Sequence, residues 1–241
     1  MKSPTFISSS DIEREVRALL LKALAAKKRS FAQFGKNVID PFSAMFEMSG
    51  FAMEHVDWAK SETARQAQKT LQNHIGTFHK NILGCAEDWQ DLRTGSVVDL
   101  KSDTHKIVAE VKNKYSTISG GKLSELYRSL DELVSPKSSV FKGFTAYYVT
   151  IIPRKCERRN VPFTPSDKSK GAPCAENPLI REIDGVSFYD MVFTESGALK
   201  QIFQYLPTVI NKLAKQHSEL AALSSADIKH LNDYFSQAFA D

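Results

Sequence analysis

The chain has 241 residues, 42% of them hydrophobic and 25% charged, with a formal net charge of +4. These are the proportions of a soluble globular protein with room for one α/β domain and a full core. No apolar run approaches a bilayer span, and Cys85, Cys156 and Cys174 are far apart without C-x-x-C pairing. Membrane-spanning, disulfide-framework and zinc-ribbon classes are therefore excluded, and reduced thiols in a cytoplasmic protein are expected.

Asp11 to about Gln33 carries Ile12, Val16, Leu19, Leu20 and Ala23 at helical spacing, with Ser10 or Asp11 as cap. Lys27-Lys28-Arg29 suit its C-terminal end. Asp40-Pro41 signals a second helix start, and Phe42, Met45, Phe46 and Met53 give it an apolar face expected in the core. Glu47 and Glu54 lie seven residues apart and share a face if that helix continues through Gly50. Ser61 to Asn81 reads as a long helix stopped by Gly84. Its His74 and His79 share a helix face poorly, so core or interface packing is expected rather than a metal.

The segment that carries chemistry is Val97 to Lys114, VVDLKSDTHKIVAEVKNK. Ile107, Ala109 and Val111 alternate onto one strand face, which puts Glu110, Lys112 and Lys114 on the other. Asp99 follows Val97-Val98 on the preceding apolar segment, across the polar turn Ser102-Asp103-Thr104-His105. By spacing alone this also fits an edge hairpin with solvated charges. An unpaired acid directly after two valines would be costly if buried, however. Two acids and a lysine converging there make a hard-cation site beside a cation. Two carboxylates plus a main-chain carbonyl suffice for Mg²⁺, which keeps several waters.

Further along, Leu123 to Val134 reads as a helix after Gly120-Gly121, and Phe144 to Ile152 as a buried strand ended by Pro153. Arg154 to Asn177 has no apolar periodicity and reads as a long functional loop. Between Arg154 and Lys170, six Lys and Arg residues face two acids, an excess equal to that of the whole chain. A local basic loop on a near-neutral protein suits an enzyme that tracks phosphates. Ile183 to Phe193 suggests a short strand or helix start, with closing helices at Ala198 to Lys215 and Ala226 to Phe239.

Asp99 with Glu110-Val111-Lys112 resembles the PD-(D/E)xK nuclease motif, with Val98 standing where that motif has its proline. NVIDPFSAMFE (Asn37 to Glu47), QKTLQNHIGTFHKNILG (from Gln68), VVDLKSDTHKIVAEVKNKYST (from Val97), PFTPSDKSKG (from Pro162) and IREIDGVSFYDM (from Ile180) extend the likeness. Together they resemble type II restriction endonucleases of the GGNCC/GGWCC-cutting, SinI/AvaII-like group, over roughly residues 10 to 205.

The resemblance implies one α/β domain over residues 1–241 with a PD-(D/E)xK restriction-endonuclease-like core, a mixed central β-sheet flanked by helices. Its parts would be a helical N-terminal portion (about 10–84), a catalytic hairpin (96–115), a DNA-recognition loop (about 153–178) and C-terminal helices (198–239). It further implies a homodimeric bacterial enzyme cutting a palindromic DNA duplex with Mg²⁺ to leave 5′-phosphates. That enzyme would be paired with a methyltransferase in a restriction-modification system. Asp99, Glu110 and the Val111 carbonyl would hold one or two Mg²⁺. Lys112 would position or deprotonate the attacking water, and Glu47, with Glu54 second, would be the helical acid reaching that water. Lys114 and Asn113 would meet the neighbouring phosphate. Arg154, Lys155, Arg158, Arg159, Lys168 and Lys170 would reach phosphates or guanine edges, and Asp167 would accept from cytosine N4. A less specific nuclease of the same fold and a non-catalytic DNA-binding protein are the alternatives. The central base pair of the site stays open.

Overall fold

The structure, a computed structural model, describes residues 2–36, 38–93 and 95–240. Asn37, with which the NVIDPFSAMFE segment begins, lies outside the described residues. The chain starts with three helices: α1 (Ser9–Ala32), α2 (Pro41–Gly50) and α3 (His55–Leu83). Ser8, rather than Ser10 or Asp11, caps α1, accepting from Ser10 N–H. Asp40 caps α2 at the amides of Phe42 and Ser43, with Pro41 in the first turn, where its missing N–H costs nothing.

Strands β1 (Gln90–Asp91), β2 (Leu100–Ser102) and β3 (Ile107–Lys114) follow, then helix α4 (Gly120–Val134) and strand β4 (Thr145–Ile152). Helix α4 begins at Gly120, three residues before the expected start at Leu123, so the glycine pair lies in its first turn. The expected long loop is folded: it contains β5 (Asn160–Pro162) and a two-strand hairpin, β6 (Ser166–Asp167) with β7 (Ala172–Pro173). Strand β8 (Ile180–Asp184) and helices α5 (Gly185–Phe193), α6 (Ala198–Gln216) and α7 (Ser225–Ala238) complete the chain.

Six strands form one mixed sheet in the order β1-β2-β3-β4-β8-β5. The central β3, β4 and β8 are parallel, and β2 and β5 flank them antiparallel. Central β4 is buried on both faces, as a parallel strand covered by helices must be. On one face Ile107, Ala109, Val111, Val149 and Ile151 pack under α1, α3, α5 and α6. On the other, Val108, Ala146, Tyr148 and Ile180 meet Tyr127, Leu130 and Val134 of α4. This is the mixed, helix-flanked sheet that the alternation and the resemblance lead one to expect. The turn between β2 and β3 spans residues 103–106 and is closed by Lys106 in the left-handed region (φ 55°). Among the described residues, no helix is long and apolar enough to cross a membrane.

Helices α1 and α3 run antiparallel, with Asn81 of α3 donating to Glu15 near the start of α1 and Lys60 near Phe31 at the far end. The near half of this pair gives Ile12, Val16, Phe78, Ile82 and Leu83 to the core. The far half buries Ala26, Ser30, Trp58 and Thr63, none of which belongs to either core cluster. The pair with α2 therefore extends beyond the core as an arm.

Gly185, where β8 passes into α5, allows α5 to lie against β4. A Cβ there would sit 2.4 Å from the Ile151 carbonyl oxygen and 2.6 Å from its Cα. Because backbone on a central strand cannot yield cheaply, Gly185→Ala is expected to lower stability by ~1–3 kcal/mol. Urea unfolding of the two proteins measures this, and equal midpoints would show that α5 can shift.

Candidate active site

β2 stops pairing with β3 early. Asp99 makes one last backbone bond, its N–H donating to the Ala109 carbonyl (2.9 Å). Its carboxylate then replaces the missing strand: Val111 N–H donates to Asp99 Oδ2 at 2.9 Å. In an extended strand the N–H and C=O of one residue open on the same edge. The Val111 carbonyl is thereby turned toward the gap that Asp99 borders.

Glu110 and Lys112 lie on the opposite face of β3 from Val111, as alternation predicts, and their side chains form an ion pair. Register places Glu110 beside Tyr148 of β4, and Tyr148 beside Glu182 of β8, in one row across the parallel strands. Burial, followed by the neighbouring Asp99 charge, pushes the Glu110 carboxyl up to about 7 against the pull of Lys112. Two carboxylates this close in a partly dry site repel unless cations intervene.

Lys80 of α3 supplies the second cation, its Nζ donating to Asp99 Oδ1 at 2.9 Å. The sequence reading missed this residue. Its signal was the polar stripe Lys69, Asn73, Thr77 and Lys80, spaced by about one helical turn within QKTLQNHIGTFHKNILG. That stripe and the end of β3 line one cleft, which contains Lys69, Lys80, Lys112 and Lys114 and no acid among its lining residues.

The residues fit a hard cation. No group of three His, Cys, Asp or Glu that could hold a metal occurs among the described residues. The available set is instead Asp99, Glu110 and the Val111 carbonyl, which suits Mg²⁺ because that ion retains waters. Lys80 and Lys112 are paired with these two carboxylates.

Other expected site residues fall elsewhere. Glu47 is not brought to the hairpin. Its carboxylate accepts from Trp58 Nε1 and from an Arg65 guanidinium, both at 2.9 Å, and these bonds hold it below the ordinary carboxylate range. Arg65 precedes Lys80 by fifteen residues on α3, roughly 22 Å along a helix. Glu54 is the exposed N-cap residue of α3. Asn113 points toward α3, its Cβ 3.9 Å from where a Cβ on Gly76 would be, and its buried Oδ1 has no partner among the described residues. Lys114 is exposed at the cleft.

In the basic segment, Arg158 binds Asp190 (2.6 Å) and Ser187 (3.0 Å), and Arg159 faces Glu182 at 3.3 Å. Asp167 is a correction: it is 3% exposed and bound by Ser169 and by Arg128 of α4, which pull its carboxyl down to about 2. It ties the β6–β7 hairpin to α4 and has no oxygen turned outward for a base. Arg154, Lys155, Lys168 and Lys170 are exposed, with no side-chain partner among the described residues. His79 packs in the core, accepting or donating to the Tyr189 hydroxyl at 2.8 Å, and burial lowers its pKa to about 4.

A mixed sheet with two carboxylates and a lysine at the splayed end of a hairpin, beside a lysine-lined cleft, is the arrangement of a phosphodiester-cleaving nuclease. The chain matches the family model of the Eco47II restriction endonuclease over residues 5–215. It is 48% identical over 234 residues to the type II restriction enzyme Eco47II of Escherichia coli, covering 97% of this chain and 98% of that one. It is 28% identical over 225 residues to the type II restriction enzyme Sau96I of Staphylococcus aureus, covering 90% and 85%. The protein belongs to the Eco47II restriction endonuclease family and is a hydrolase acting on DNA.

Because a carboxylic acid must lose its proton to bind a cation, the raised Glu110 pKa has a defined sign: with Glu110 as a ligand, cation affinity would fall as pH drops through about 7. Calorimetric titration with Ca²⁺ is expected to show about tenfold weaker binding at pH 6 than at pH 8, the effect of one proton. A flat profile would mean that Glu110 is ionised throughout.

Proposed function

We propose that this enzyme is a Mg²⁺-dependent, homodimeric type II deoxyribonuclease that cuts both strands of a short palindromic GGNCC or GGWCC site. It leaves 5′-phosphates and serves a restriction-modification system. The observation that carries the proposal is the convergence of Asp99, Glu110 and Lys112 where β2 leaves β3, next to a cleft with four lysines and no acid. The site sequence rests on the likeness of the segments from Asn37 to Met191 to that group of enzymes.

Asp99, Glu110 and the Val111 carbonyl would hold Mg²⁺. When bound, that ion supplies Lewis-acid polarisation of the reacting groups and charge to offset the phosphate. Lys112 acts on the water: its ammonium, now paired with Glu110, orients the nucleophile and offsets charge developing in line with the departing 3′ oxygen. Lys114, on the same face two residues on, holds the adjacent phosphate. Lys80, which donates to Asp99 and lines the cleft with Lys69, would offset the charge of the DNA backbone there.

Reading guanine takes a two-pronged donor in the major groove, because O6 and N7 are both acceptors. Arg154, Lys155, Lys168 and Lys170 are free for that task and follow the sheet end at which Lys114 pairs with Ile152. Arg158 and Arg159 shape the loop from within it. A palindrome read by two copies of one chain is matched in symmetry by a two-fold dimer.

Digestion of a sequenced plasmid with Mg²⁺ should give discrete fragments whose mapped ends share one five-base site. A smear would sink the site-specific reading in favour of a general nuclease. Asp99→Ala and Lys112→Ala should each cut at least ~10²-fold more slowly while still retaining the duplex in a gel shift. Undiminished cutting by both variants would move the active site elsewhere.

A further inference from the structure

Helix α2 is amphipathic the wrong way round for a monomer. Its inner side carries Ala44, Glu47 and Met48, half-buried, with Glu47 fixed by Trp58 and Arg65. Its outer side carries Phe42, Met45 and Phe46, exposed by 69%, 63% and 72%, one helical turn apart. No residue of α2 is fully buried. Of the twelve large hydrophobic side chains exposed on the described surface, eight lie between Leu21 and Val56, on the arm. An apolar concentration of this kind marks an interface.

We propose that the outer face of α2, with Phe51 at its C-terminal end, is the surface through which two copies of this chain pair about a two-fold axis. The proposal deepens the dimeric reading above and rests on it for the symmetry. A two-fold contact sets the same patch against itself, so it requires a surface complementary to itself. An uncharged apolar face meets that requirement, and Glu47, the one charged residue in α2, is turned inward. Duplex DNA does not fit as the occupant, because α2 offers no lysine or arginine to a phosphate. Taking ~200 Å² per phenylalanine, Phe42, Phe46 and Phe51 leave on the order of 400 Å² in water. Met45 brings this to more than half of the ~800 Å² that each partner contributes to a standard interface.

Lys69 borders both the arm and the lysine-lined cleft. No residue of α2 lines that cleft, so pairing through α2 leaves it open, and one chain's catalytic groups reach one strand while its mate serves the other.

Sedimentation velocity of the full chain without DNA tests the proposal. The wild type is expected to be dimeric at micromolar concentration, and the double variant Phe42→Asp/Phe46→Asp to dissociate at least ~100-fold more readily. Val140→Asp, which alters an equally exposed side chain away from the arm, is expected to leave the dimer intact. Circular dichroism and the Tm show that both variants remain folded, since neither site touches the core. On supercoiled plasmid the monomeric variant should accumulate nicked circles where the wild type gives linear product. A wild type that is monomeric without DNA, or a double variant as dimeric as the wild type, overturns the proposal. So does a double variant that stays dimeric but loses its grip on duplex DNA. A dimer that dissociates as predicted but cuts no DNA in the wild type would sink the nuclease reading and leave this one standing.

Discussion

The site depends on one hydrogen bond, from the Val111 amide to the Asp99 carboxylate. Where β2 leaves the sheet, β3 would present an unpaired, half-buried amide, and leaving it so would cost on the order of 1–3 kcal/mol. Asp99 satisfies it with a side chain instead of a backbone carbonyl. That substitution puts a carboxylate on a strand edge without disturbing the ladder behind it, which continues through Leu100 and Ala109. The acid, the adjacent carbonyl and the outward Glu110–Lys112 pair are all placed by the same local departure from regular pairing.

Electrostatics complete what the backbone begins. Glu110 is buried enough for its proton affinity to rise, and Asp99 adds to the strain. Lys112 and Lys80 relieve it from opposite sides, one from the strand itself and the other from the helix packed on the far face. The same lysines begin the track of positive charge that leads away along α3. A charge-balanced site and an anion-binding cleft are therefore two uses of one set of side chains. The near half of the α1–α3 pair anchors Lys80 in the core, and the far half is freed for another purpose.

Much of this was legible in the sequence, and the reasons differ by element. β3 was readable because Ile107, Ala109 and Val111 alternate cleanly with Glu110 and Lys112. β4 was readable because an unbroken apolar run ending in proline has few other fates. The site's third side was not, since Lys80 lies nineteen residues before Asp99 on a helix whose packing direction no local pattern fixes. In the basic segment the count of charges does not give their pairing. Net charge records how many cations a loop holds, but not that Asp190 and Glu182 hold Arg158 and Arg159, or that Asp167 is turned to Arg128 of α4. Phe42, Met45 and Phe46 were expected in the core because helical periodicity identifies an apolar face without saying what it meets. Glu47 was misplaced for the matching reason: the acid on that helix has Trp58 and Arg65 as partners nearer than any phosphate.

The turn at residues 103–106 has a consequence of its own. What sets Glu110 and Lys112 on one side of β3 and Val111 on the other is parity, counted from the β2–β3 pairing. Losing one residue within β3 would exchange the two sides and send both charged groups into the apolar layer beneath α3. Lengthening the turn changes no parity and costs only ~0.6 kcal/mol for each doubling of a flexible loop. This tip is consequently a natural port for a grafted peptide, a fluorophore or a targeting module: close to the chemistry along the chain, yet uncoupled from it in geometry.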